Sequence, residues 1–197
     1  MTTMVYNGQQ KTSTNIPTKK ILLWLAMVSM IMIFAGLTSA YIVRQAEGNW
    51  LKFDLPKLFS VSTAIILFSS VSMNWALSSA KRGNIQAVKK GLGITLFLGL
   101  AFVVFQFLAW QELYSQHIIF GGKFANPAGS FLYVLTGLHI AHLLGGLIYL
   151  IVVLLTAIKQ TKTFGIKNLL SIQLCATYWH FLDGLWIYLF LFLLFIR

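Results

Sequence analysis

Any chemistry in this chain of 197 residues has to start from its four histidines, its four acidic residues and its single cysteine. Two of the histidines, His139 and His142, stand three apart in the run SFLYVLTGLHIAHLLGG. His180 stands three before Asp183 in the equally apolar run YWHFLDGLWIYLF. A spacing of three places both members of each pair on one face of a helix. Facing histidines can hold haem or a metal in a bundle core, and intramembrane Asp and His are the usual parts of a proton relay. A di-iron carboxylate centre is excluded. It takes about four carboxylates, and only Glu112 and Asp183 fall in apolar segments. A copper–thiolate centre wants more than the lone Cys175, which can form no disulfide within the chain and reads as inert packing. Bis-histidine haem and a relay stay open, but the sequence favours a satisfied buried network. No Gly-rich phosphate loop, nucleophile–base pair or paired catalytic carboxylate is found, so the sequence points to no catalytic, metal or cofactor-binding residue in this chain.

The elements that carry these residues are built for lipid. The chain is 58% hydrophobic and 10% charged, where soluble domains carry roughly 25% charged residues. Five apolar runs predict helices over Ile21–Val43, Leu58–Ala80, Gly91–Tyr114, Ser130–Ile158 and Leu169–Ile196. Each exceeds the ~20 residues that cross a bilayer, and helices are required because lipid cannot satisfy an open backbone. The expected fold is an all-α integral membrane protein, a bundle of five transmembrane helices over residues 21–197. A polar cytoplasmic tail precedes it at residues 1–20. That tail is read as retained, because the following apolar run is too long for a signal-peptide core. The net charge of +11 could suggest nucleic acid, but the basic residues flank apolar runs instead of forming one face. Ten of the 15 lysines and arginines fall in the segments before helix one, between helices two and three, and between helices four and five. The positive-inside rule then puts the N-terminus in the cytoplasm and the C-terminus outside.

The short connection between the last two helices predicts an antiparallel hairpin. Counted back from the turn, His142 and Asp183 differ in depth by only ~3 Å at 1.5 Å per residue. Gly145, Gly146 and Gly184 would allow close approach at that level. A charge at mid-membrane costs ~3 kcal/mol or more, so Asp183 needs a partner. The expectation is a polar clasp: a His142–Asp183 pair between the helices, flanked by His139 and His180. Elsewhere, Glu112 near the end of helix three, beside Trp110, Tyr114 and His117, reads as an interfacial residue in an aromatic belt or as a contact to a lipid headgroup or partner. Ser69, Ser70, Ser72, Asn74, Ser78 and Ser79 on helix two are candidates for helix–helix hydrogen bonds. The loop KRGNIQAVKK would attract anionic lipid.

The last two helices resemble subunit III of the haem–copper cytochrome oxidases. That family carries Ser-Phe, then Thr-Gly-x-His-x-x-His, met here by Ser130, Phe131, Thr136, Gly137, His139 and His142. It then carries Tyr-Trp-His-Phe-x-Asp-x-x-Trp, met by Tyr178, Trp179, His180, Phe181, Asp183 and Trp186. The likeness runs from Ile21 to Arg197, and five spans match the shorter bacterial form. The resemblance implies a subunit with no active site of its own in a proton-translocating cytochrome c oxidase of the bacterial cytoplasmic membrane. It implies that haems and copper sit in partner subunits, that subunits I and II and phospholipid are the partners, and that the subunit packs on subunit I and sustains its turnover and proton uptake. Two departures stand out. Met30 occupies the place of a buried glutamate frequent in the family. In a Gln-x-x-Glu pattern counted from Gln106 the glutamate position is Ala109, with Glu112 three residues later. The equivalent subunit of a quinol oxidase is the alternative. A stand-alone transporter and a small haem-binding anchor are the readings from other classes.

Overall fold

The structure, a computed structural model, describes residues 18–48, 50, 55–118, 120–121, 126–160 and 166–196. All regular structure among them is α-helical: α1 (Thr18–Ala46), α2 (Lys57–Lys81), α3 (Ile85–Ser115), α4 (Pro127–Lys159) and α5 (Ile166–Phe195). Each is long and apolar enough to cross a membrane. Their outer faces are covered with large exposed apolar side chains such as Met32, Phe68, Val71, Phe97 and Ile148. In a bilayer such a surface faces hydrocarbon, which a soluble protein of this size would not tolerate. The first 17 residues of the expected tail lie outside the described residues, while Thr18, Lys19 and Lys20 already belong to α1.

The helices begin earlier than apolar patterning suggests, and local capping explains two of the cases. Asn84 caps α3, its side chain accepting from the Ala87 N–H at 3.1 Å, and Gly83 makes the turn at φ +74°. Most of the expected loop KRGNIQAVKK is therefore helix, and only Arg82–Asn84 connects α2 to α3. Asn126 likewise caps α4, accepting from Ala128 at 3.0 Å, and Pro127 sits in the first turn. Proline is favoured there because its missing N–H is not needed.

Helices α2, α3, α4 and α5 form a ring in which each packs on the next, and α1 lies outside it against α4 and α5. Buried positions on α2 step by three and four through Phe59, Ser62, Ile66, Ser69, Met73, Ala76 and Ala80. This is the narrow seam of a left-handed crossing. On the other side of that seam, a Cβ on Gly91 would stand 2.8 Å from the Ala76 Cβ and 3.1 Å from its Cα. Close backbone approach between small residues is what substitutes for a hydrophobic drive within lipid. The centre of the ring is filled by Trp179, Trp186, Phe102 and His139, all fully buried. On α1 the stripe turned inward is Met27, Met30, Phe34, Thr38 and Tyr41. At one end, Lys89 of α3 donates to the carbonyls of Ile158 (3.2 Å) and Gln160 (3.3 Å). A cation there satisfies acceptors that the end of α4 leaves open.

Candidate functional site

Three side-chain hydrogen bonds join α2 and α5. The indole N–H of Trp179 donates to Ser69 Oγ at 2.9 Å, and that of Trp186 donates to Thr63 Oγ1 at 3.0 Å. Between them, His180 Nδ1 and Ser70 Oγ stand 2.7 Å apart. Asp183 is 3% exposed, and its nearest basic atom is His180 Nδ1 at 4.0 Å. That exceeds hydrogen-bonding distance.

The expected His142–Asp183 pair is not formed. His142 Nδ1 lies 2.8 Å from the Leu138 carbonyl of its own helix, and its ring sits 5.9 Å from that of Phe34 on α1. The two side chains point in different directions. A Cβ on Gly146 would meet Leu182 at 3.0 Å and Tyr178 at 3.1 Å, so those two residues face α4. Asp183 is one residue beyond Leu182, a rotation of about 100°, and sits on the face that carries His180 toward Ser70. Gly146 does make the close approach expected of it. Gly184 does not: nothing lies within 4 Å of its added Cβ, and it lines a cavity of about 470 Å³ between α1 and α5 together with Phe34, Ala35, His180 and Tyr188.

His139 is fully buried. It packs against Trp186 (ring centroids 5.1 Å) and edge-on against Phe102 (6.0 Å), and neither ring nitrogen has a hydrogen-bond partner among the described residues. The remaining motif residues make local or interhelical bonds. Ser130 donates to the Phe120 carbonyl at 2.7 Å, Thr136 accepts from Trp110 Nε1 at 3.1 Å, and Tyr178 donates to the His142 carbonyl at 3.2 Å. Gly137 faces the Trp110 ring at ordinary contact distance. Glu112 is half-buried near the end of α3 and takes part in no ion pair among the described residues. Cys175 is buried and free. No group of three or more His, Cys, Asp or Glu gathers among the described residues.

Of the α2 serines, Ser69, Ser70 and Ser72 make bonds to other helices, the last to the Gly91 carbonyl at 3.0 Å. Asn74 and Ser78 lie on the exposed face. Sequence reasoning missed three contributors. Ser62 accepts from the buried Gln106 at 2.9 Å, Thr63 accepts from Trp186, and Thr38 accepts from Tyr188 at 3.0 Å. Ser62 could have been found, since it stands one heptad before Ser69 on the same face.

Five lipid-facing helices joined by inward hydrogen bonds define a multi-pass α-helical membrane protein. Residues 49–196 match the sequence profile of cytochrome c oxidase subunit III, and the chain belongs to that family. It is 36% identical over 189 residues to the cytochrome bo(3) ubiquinol oxidase subunit 3 of Buchnera aphidicola subsp. Baizongia pistaciae, covering 92% of this chain and 94% of that one. It is 32% identical to the probable cytochrome c oxidase subunit 3 of Nocardia farcinica, over 89% and 86% of the two chains. Against the cytochrome c oxidase subunit 3 of Osphranter robustus it is 34% identical, over 66% of this chain but 47% of that one. The chain is thus a haem–copper oxidase subunit III, a multi-pass protein of the bacterial plasma membrane.

Proposed function

We propose that this chain is a non-catalytic subunit of an aerobic terminal oxidase that packs on the catalytic subunit I beside subunit II and holds phospholipid on its outer surface. In this reading it sustains proton uptake and turnover in subunit I, while haems and copper reside in the partners. Its N-terminus lies in the cytoplasm and its C-terminus outside, on the distribution of lysine and arginine. The observation that carries the reading is where the interior polar groups are used. Ser69, Ser70 and Thr63 engage Trp179, His180 and Trp186 helix to helix, bonds that hold the bundle together. The electron donor in the favoured reading is cytochrome c. The quinol alternative draws support from the 36% identity and near end-to-end match to the bo(3) ubiquinol oxidase subunit.

The test is affinity purification through this chain in mild detergent, with a subunit inventory, an optical spectrum and assays with reduced cytochrome c and with quinol. Co-purification of a haem-bearing oxidase core is expected. A colourless chain recovered alone from several detergents would sink the reading. Activity with quinol and not with cytochrome c would select the alternative donor.

A further inference from the structure

A second feature lies away from the polar seam, where α3 ends and α4 begins. Phe107, Trp110, Gln111 and Tyr114 share one face of α3, and with Phe120 and Tyr133 they line a groove of about 410 Å³. Aromatic residues at this depth ordinarily point their polar ends toward headgroups and water. The two half-buried rings here do the opposite. Trp110 Nε1 donates inward to Thr136 at 3.1 Å, and the Tyr133 hydroxyl donates to the Ile118 carbonyl at 3.0 Å. Their polar handles are used up inside the protein, so what they leave to the groove is ring surface.

The rings are set at steep angles to one another: Phe107 to Trp110 at 5.3 Å and 81°, Trp110 to Tyr133 at 5.9 Å and 60°, Phe120 to Tyr133 at 6.1 Å and 86°. Successive planes turned this way present π faces from more than one direction. Those faces carry negative potential and attract ammonium cations, and they repel anions. Among the described residues no lysine or arginine lines the groove, and Gln111 offers an amide carbonyl as acceptor. Toward the bilayer centre the groove runs onto exposed Val104 and Leu108, a surface suited to acyl chain.

From this geometry we infer that the groove holds a phospholipid with an ammonium headgroup, of the phosphatidylethanolamine kind, its cation seated against Trp110, Tyr114, Phe120 and Tyr133. The inference deepens the lipid part of the proposed function and rests on it, by giving one lipid a place and a charge type.

The experiment uses the full chain with whatever subunits purify alongside it, stripped of lipid and titrated separately with phosphatidylethanolamine and phosphatidylglycerol. Bound lipid is counted by native mass spectrometry. Tyr114→Leu and Phe120→Leu are the variants, since both rings are exposed and their loss leaves the interior intact. Each is expected to weaken phosphatidylethanolamine retention about two- to fivefold, and the pair together about tenfold, with phosphatidylglycerol unchanged. Equal retention of both lipids by the unmodified chain, or variants that lose neither or both alike, would overturn the site. Because lipid is counted on the chain with or without a haem-bearing partner, failure of the site and failure of the oxidase reading give different results.

Discussion

His180 Nδ1 and Ser70 Oγ, 2.7 Å apart, tie the middle of α5 to α2 and not to α4. A double-mutant cycle on Ser70→Ala and His180→Ala should therefore show coupling of about 0.6 kcal/mol, with ~1.7 kcal/mol as a ceiling for such bonds in membranes. The same cycle on His142 and Asp183 should show coupling near zero. Unfolding of the purified chain in mixed micelles checks both. Coupling confined to the second pair would mean that α4 and α5 are turned differently about their axes.

Trp179 and Trp186 each combine a bond to α2 with packing at the centre of the ring. Changing either to phenylalanine keeps most of the packing and should cost about 0.6 kcal/mol through the lost bond. Trp186→Ala also strips the contacts to Phe102, Phe59 and His139 and should cost about 3–5 kcal/mol. The measurement is the difference in unfolding free energy between the two substitutions at one site.

Gly91 faces the Ala76 backbone, which cannot move aside as a side-chain tip could. Gly91→Ala should lower stability by about 1–3 kcal/mol by forcing α2 and α3 apart. Gly36→Ala, with nothing within 4 Å of the added carbon, should be neutral or stabilising by up to about 1 kcal/mol. Thermal unfolding midpoints of the two variants, compared in one detergent, decide the matter.

Tyr188→Phe removes the hydrogen bond to Thr38 that links α5 to α1. Because α1 packs only on α4 and α5 among the described residues, amide exchange should quicken along α1 while α2 and α3 keep their protection. Exchange that rises evenly over all five helices would show that α1 is not the separable element it is taken to be.

The spans could be read from the sequence because lipid imposes length and apolarity on every crossing segment. Their starts could not, because Asn84 and Asn126 extend helices with side-chain caps that hydropathy does not register. The motif residues were legible as a set. Their partners were less so. Depth along a helix follows from counting residues back from a turn. Rotation about the axis depends on which neighbour packs where, and Gly146 against Leu182 and Tyr178 turned Asp183 away from α4. The serines of α2 carried a sign of their role in their spacing, while Thr38 and Thr63 carried none that the apolar pattern would single out.

The three ties from α5 to α2 also act as a register mark. Trp179 meets Ser69 and His180 meets Ser70 at one level, and Trp186 meets Thr63 about two turns away, earlier in α2 and later in α5, as antiparallel helices require. Hydrocarbon offers little resistance to one apolar helix sliding along another. A slip of one turn, about 5.4 Å, would break all three bonds at once and leave their donors among alkyl chains. When α5 leaves the ribosome it thus meets, in the α2 made before it, a template that accepts it at one height.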